Sequence, residues 1–158
     1  MTPAVGDLAV GDLAPDFELK DQNNQIVRLT SFRGEKAVLL VFYPLAFSRV
    51  CSGELAALRD DLASFHNDRV ELLTVSVDSV YAHKVWAVQE GFDFPLLADF
   101  WPHGEVARRY GVFDSSRGYA LRGTFLVDRD GVVRYRVVNE AAVARDVSEY
   151  REALTVLG

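Results

Sequence analysis

The sequence predicts an α/β domain with a mixed central sheet, helices on its faces and a β-hairpin ahead of the main sheet. Three observations predict it. The run Ala37 to Tyr43 lacks alternation and is rich in β-formers, as a strand buried on both faces is, and Val70 to Val77 reads as a second strong strand. Stretches with helical apolar spacing follow each run. Near the end, Asp128-Arg129-Asp130-Gly131 separates two more strand-like runs, and Asp-Gly favours a tight hairpin.

The elements follow in order. Phe17 to Lys20 and Ile26 to Leu29 flank the polar segment Asp21 to Gln25, which reads as a hairpin. Thr30, Ser31 and Gly34 mark a turn before the strand Ala37 to Tyr43. Ser48 is placed to cap a helix from about Arg49 to His66, where Leu55, Leu58, Leu62 and Phe65 form a 3-4-3 stripe. The strand Val70 to Val77 leads into a helix from Ser79 to Gln89, which Gly91 ends. Phe94 to Leu97 is short and extended, and Glu105 to Tyr110 is a short helix closed by Gly111. Thr124 to Val127 and Val132 to Val138 form the closing hairpin, and Asp146 to Leu157 is the last helix. This order fits a single domain of thioredoxin-like architecture.

The first residues repeat in tandem: Val5-Gly6-Asp7-Leu8-Ala9 recurs as Val10-Gly11-Asp12-Leu13-Ala14. The period is too short for a solenoid. Residues 1–9 therefore read as a short extension lying loosely on the surface, and residues 10–158 as the domain.

Bulk properties narrow the function. The chain has 158 residues, is 49% hydrophobic and carries a net charge of -6, which describes a globular domain and weighs against nucleic acid or anionic lipid as partners. The longest charge-free stretch, Ala37 to Phe47, is interrupted by Pro44 and falls short of the ~20 apolar residues of a membrane span. The N-terminus lacks the basic and apolar regions of a signal peptide, so a cytoplasmic location is expected. His66, His83 and His103 are far apart in the chain and form no metal-ligand motif, so each is expected to be structural or solvated. Trp86 and Trp101 read as packing residues, with an interface or pocket rim as the other reading.

Chemistry concentrates at Cys51, the one cysteine of the chain. It follows a buried-strand pattern, Pro44 and Ser48, and stands at a predicted helix start. A helix N-terminus favours the thiolate, which is the reactive form. That effect is worth roughly 0.3–1 kcal/mol, less than one pKa unit. A guanidinium at ~4 Å in an effective dielectric of ~20 offers about 4 kcal/mol before desolvation. An arginine is therefore expected beside Cys51.

Pro44-x-x-x-Ser48-x-x-Cys51 resembles the peroxiredoxin signature of proline, threonine or serine, and peroxidatic cysteine. Ala14-Pro15-Asp16-Phe17, Val41-Phe42-Tyr43-Pro44, Phe94 to Asp99, Tyr110-Gly111-Val112 and Arg122-Gly123-Thr124-Phe125 fall where that family has similar runs. Phe100 to Gly104, His83 to Ala87 and the single cysteine look most like the one-cysteine AhpE-like type of actinobacteria.

The resemblance implies a thiol-dependent peroxidase. Cys51 reduces hydrogen peroxide, an alkyl hydroperoxide or peroxynitrite and becomes a sulfenic acid. It also implies that Arg122 is the active-site arginine, that Ser48 and backbone N–H groups orient the peroxide, and that Pro44 narrows and shields the pocket. Glu54, one helical turn past Cys51, orients an arginine in this reading. Serine at position 48 keeps the family's hydroxyl without the methyl that fixes its rotamer. Arg49 is the other nearby cation. No prosthetic cofactor or metal is implied.

With no second cysteine, recycling falls to an external thiol: mycothiol with a mycoredoxin, or a thioredoxin-like protein. A homodimer is expected by resemblance, and it cannot supply the missing cysteine. The alternative is a non-enzymatic peroxide sensor or holdase using the same cysteine and fold. A thiol-disulfide oxidoreductase lacks its dithiol, because Cys51-Ser52-Gly53-Glu54 is not Cys-x-x-Cys.

Overall fold

The structure is a computed structural model that describes residues 8–157. Seven strands form one sheet: β1 (Glu18–Lys20), β2 (Ile26–Arg28), β3 (Ala37–Phe42), β4 (Val70–Ser76), β5 (Leu96–Ala98), β8 (Arg122–Val127) and β9 (Val133–Asn139). Their spatial order is β2-β1-β5-β4-β3-β8-β9. β3 and β4 pair in parallel, as do β4 and β5, whereas β8 runs antiparallel to both β3 and β9. A small second sheet joins β6 (Phe113–Asp114) to β7 (Tyr119–Ala120). The mixed sheet and its flanking helices match the expected thioredoxin-like α/β fold.

The absence of alternation in β3 has its predicted cause. All six of its residues are buried, because both faces of the sheet are covered. Leu39 and Val41 face the layer of α1 (Arg49–Asp60), α2 (Leu62–Phe65), α3 (Val80–Glu90) and α5 (Val147–Leu154). Val38, Leu40 and Phe42 face Phe17, Leu29 and α4 (Glu105–Arg109), with Tyr110 just beyond it. The aromatic rings of Phe42, Tyr110 and Phe125 meet at 5.1–6.0 Å between centroids.

Turns close as their chemistry requires. Asp21 Oδ1 accepts the N–H groups of Asn23 and Gln25 at 2.8 and 3.0 Å, closing the first hairpin. Gly91 ends α3 at φ 69, a left-handed conformation that glycine adopts without strain. Ser79 caps the same helix by accepting Ala82 N–H at 3.1 Å.

Several expectations need correction. The segment from Arg49 to His66 is two helices, broken at Asp61 (φ -129, ψ 35). Asp61 has turned its carboxylate to Ser64 Oγ and Arg151, an alternative to continuing the helix. Ser48 stands at the N-cap of α1, but its side chain makes no cap bond and donates to the Leu45 carbonyl at 2.9 Å. Trp86 is buried as a packing residue, whereas Trp101 is 81% exposed. The first copy of the tandem repeat lies largely outside the described residues. In the second copy, Gly11 N–H reaches the Val133 carbonyl and Val133 N–H the Asp12 carbonyl, at 2.8 and 2.9 Å.

Candidate active site

β3 ends at Phe42, and the loop that follows delivers Cys51 as the third residue of α1. The first helical bond is from Ser52 N–H to the Ser48 carbonyl, at 2.8 Å. The N–H groups before it have no intrahelical acceptor, so the sulfur sits at the positive end of the helix. β8 brings the arginine. Val41 pairs with Thr124 in antiparallel register, so Arg122 lies two residues further along, beside the exit of β3.

Arg122 Nη1 lies 3.3 Å from Cys51 Sγ and donates to it. The same nitrogen donates to Glu54 Oε1 at 2.6 Å, and Nε donates to the Ala141 carbonyl at 2.7 Å. Glu54 is one turn beyond Cys51 on α1, which puts both side chains on one face of the helix. The sequence-derived trio of Cys51, Arg122 and Glu54 therefore meets in space. All three are buried, and Cys51 is 0% exposed.

A second arginine completes the cluster, and sequence reasoning missed it. Arg145 precedes Asp146, the N-cap of α5. Its N–H and Nε donate to Glu54 Oε2 at 2.6 and 3.0 Å, and Nη2 donates to Oε1 at 2.8 Å. Nη1 donates to the Gly123 carbonyl and to Thr124 Oγ1, at 2.9 and 3.0 Å. Tyr150 OH extends the network, 2.7 Å from Thr124 Oγ1. No short motif marks Arg145, and its only cue is a position just before a helix cap.

Burial pushes the Glu54 carboxyl up. The hydrogen bonds and charge of Arg145, with the charge of Arg122, outweigh that and hold it below the usual carboxylate range. Burial likewise works against the charge of Arg145, and the Glu54 hydrogen bond and charge, together with Tyr150 and Cys51, outweigh it. Two guanidinium groups share one carboxylate, so this buried cluster carries one surplus positive charge, with Cys51 Sγ 3.3 Å from Arg122 Nη1.

The other expected site residues lie in the loop between β3 and α1 and at the start of that helix. Pro44 is buried in the loop, Ser48 is half-buried with its hydroxyl on the Leu45 carbonyl, and Arg49 is exposed at the start of α1. His83 is fully buried and bonded to Tyr43 and Ser76, which is a structural placement. A groove of about 950 Å³ lies elsewhere, lined in part by Lys20, Ile26, Tyr81, Lys84, Phe100 and Trp101, and Cys51 is not part of it. Among the described residues no group of three His, Cys, Asp or Glu side chains is placed to hold a metal, and no helix is long and apolar enough to cross a membrane.

This geometry suits a thiolate that attacks an electrophile while nearby donors hold the group that leaves. Comparison with known proteins points the same way. Residues 10–136 match the AhpC/TSA family. The chain is 52% identical over 150 residues to alkyl hydroperoxide reductase E of Mycobacterium tuberculosis, a match covering 95% of this chain and 98% of that protein. Among solved structures, the reduced 2-Cys peroxiredoxin of Plasmodium vivax is similar, with a TM-score of 0.83, 35% identity and coverage of 97% of this chain and 81% of the other. Peroxidoxin BcpB of Mycobacterium tuberculosis has the same TM-score of 0.83 at 29% identity, with 96% and 99% coverage.

Proposed function

Because the chain belongs to the AhpC/TSA family and is a peroxiredoxin, a thiol-dependent oxidoreductase acting on peroxide, we propose that Cys51 is its peroxidatic thiol and that Arg122, Ser48 and Pro44 complete the site. The observation that carries this reading is the 3.3 Å contact between Arg122 Nη1 and Cys51 Sγ within a buried cluster of surplus positive charge.

The Cys51 thiolate attacks one peroxide oxygen. An S–O bond forms as the O–O bond breaks, sulfur is oxidised to the sulfenic acid level, and the departing oxygen takes a proton to leave as water or an alcohol. Full ionisation raises the reactive fraction of a thiol only about 30-fold at pH 7. The remainder of the acceleration comes from holding the peroxide in line and stabilising the departing oxygen. Arg122 supplies donors for this, with the N–H groups of the first turn of α1. The Ser48 hydroxyl joins them when it turns from the Leu45 carbonyl toward bound peroxide. Pro44 restricts access by water. Glu54, held by Arg145, keeps Arg122 in place.

Substrates are hydrogen peroxide, alkyl hydroperoxides or peroxynitrite. Peroxiredoxins need no prosthetic group, but they do need a thiol reductant. One external thiol displaces water from the sulfenic acid to give a mixed disulfide, and a second releases Cys51 as the thiol. Mycothiol with a mycoredoxin and a thioredoxin-like protein are the two reductant classes, and recovery of oxidised protein with each separately distinguishes them. A homodimer is the proposed assembly, with exposed Leu45, Phe47, Tyr81 and Trp101 available for its contact. A cytoplasmic location, where thiols stay reduced, suits this cycle.

The test is to trap the intermediate. One equivalent of peroxide in the presence of a dimedone-type reagent should give a covalent adduct at Cys51, found by peptide mass spectrometry. Unmodified Cys51 after peroxide consumption contradicts the assignment.

A further inference from the structure

The loop leading to α1 rests on a second buried polar cluster, separate from the one around Arg122. Asp78 lies in the turn between β4 and α3, and its Oδ2 accepts Ala46 N–H at 2.7 Å. The same oxygen accepts the Ser76 hydroxyl at 2.6 Å. Ser76 Oγ lies 2.7 Å from His83 Nε2 and accepts Asp78 N–H at 3.3 Å. Tyr43 OH is 3.1 Å from the same histidine nitrogen.

Counting protons fixes the direction of these bonds. A serine hydroxyl has one proton and two lone pairs. The Asp78 carboxylate takes the proton, so both lone pairs accept, one from Asp78 N–H and one from His83 Nε2. That assigns His83 as the tautomer protonated on Nε2. The chain of donors therefore runs His83 to Ser76 to Asp78, and Asp78 receives Ala46.

The segment so held is under backbone strain. Phe47, next to Ala46, has φ 70, in the left-handed region that non-glycine residues rarely adopt. Its ring packs on Trp86 of α3, with centroids 5.9 Å apart. Among the described residues the Ser48 hydroxyl bonds within the loop, to the Leu45 carbonyl. Ala46 N–H and the Phe47 ring thus tie the loop to the α3 side of the molecule, and both hold it against relaxation of Phe47.

We propose that Asp78 is a positioning residue for peroxide reduction: its carboxylate, oriented by Ser76 and His83, fixes the loop that carries Pro44 and Ser48 to Cys51 through Ala46 N–H. This rests on the reading that the loop shapes the peroxide pocket. Reaction of a bound peroxide requires alignment of the O–O bond, and misplacement by about 1 Å costs on the order of 100-fold. Alkylation of the same thiol by a small reagent carries no such requirement.

The experiment compares two rates for Cys51 in wild type, Asp78→Ala and Asp78→Asn: thiol loss with limiting hydrogen peroxide, and alkylation by iodoacetamide at the same pH. Thermal unfolding is followed alongside, and both rates are read well below each midpoint. Asp78→Ala should lower the peroxide rate constant about 10–100-fold, with alkylation within about threefold of wild type. Asp78→Asn retains an acceptor for Ala46 and should recover most of the loss. A peroxide rate within about threefold of wild type in Asp78→Ala, or peroxide and alkylation rates that fall by the same factor, overturns the proposal. If Asp78→Ala does not fold, Ser76→Ala decides it: it should slow peroxide reduction by about threefold or more with alkylation unchanged, and a wild-type peroxide rate overturns the proposal. A wild-type protein no faster than free cysteine refutes the peroxidase reading itself, which is a distinct result.

Discussion

Glu54 and Arg145 are joined by three hydrogen bonds, with Arg145 N–H and Nε on Oε2 and Nη2 on Oε1, all between 2.6 and 3.0 Å. The carboxylate is thereby fixed at both of its oxygens. Arg122 needs only one bond to it, and the same Nη1 remains close enough to donate to Cys51 Sγ. Among the described residues Arg145 makes no hydrogen bond to the sulfur, yet through Glu54 it sets where Arg122 can stand.

Arg122→Met removes the donor at the sulfur while keeping much of the side-chain volume. It should slow thiol loss with peroxide about 10–100-fold, the loss expected for a hydrogen bond to a charged group. Arg122→Lys keeps a charge without the fork and should fall between. Stopped-flow kinetics under second-order conditions checks this. An unchanged rate transfers the role to Arg49 or another cation.

Glu54→Ala leaves two buried guanidinium groups without their carboxylate. Stability should drop by about 3–5 kcal/mol, measured by urea unfolding. Glu54→Gln retains acceptor capacity and should cost less. A change below about 1 kcal/mol for Glu54→Ala would show that water replaces the lost partner at little cost.

Part of this site was legible in the chain and part was not. Cys51 and Arg122 stand in short motifs, and Glu54 is one helical turn from Cys51, so local periodicity finds it. Arg145 is 91 residues from Glu54 and borders a loop, where an arginine normally faces solvent. Nothing local separates a buried arginine from an exposed one there. The long strand β3 was readable because burial on both faces leaves a continuous apolar run, and β4 because it is rich in β-formers. The two-residue strands β6 and β7 are too short to carry any period. The break at Asp61 was hidden because the apolar stripe of Leu58, Leu62 and Phe65 continues across it.

Gly123, between Arg122 and Thr124, packs tightly enough to make its own prediction. A Cβ built there would lie 2.7 Å from Val112 Cγ1. Gly123→Ala should destabilise the fold by about 1–3 kcal/mol, because valine has few rotamers with which to give way. It should also slow peroxide reduction by displacing Arg122. Unfolding and activity assays read both effects, and wild-type values for both would mean that the strand absorbs the methyl.

Acid should weaken the fold through His83. Burial pushes its pKa down to about 4, outweighing the Asp78 charge, which pushes it up. The unfolded chain takes up this proton from about pH 6.5 downward, and the folded protein takes it up only near 4. The unfolded state therefore binds more protons across that window, so stability falls as pH falls, by about 3 kcal/mol in all from this group. Glu54, held below its usual range, adds loss of the same sign at lower pH. Urea unfolding of wild type and His83→Gln from pH 7 to 4 checks this, with a shallower decline expected in the variant.

The most direct measurement of the central claim is the second-order rate of Cys51 thiol loss when reduced protein meets limiting hydrogen peroxide, compared with free cysteine at the same pH. The positioned donors around Cys51 predict a rate constant well above the roughly 30-fold that ionisation alone provides, and complete loss of the reaction in Cys51→Ser. A rate equal to that of free cysteine would contradict the account.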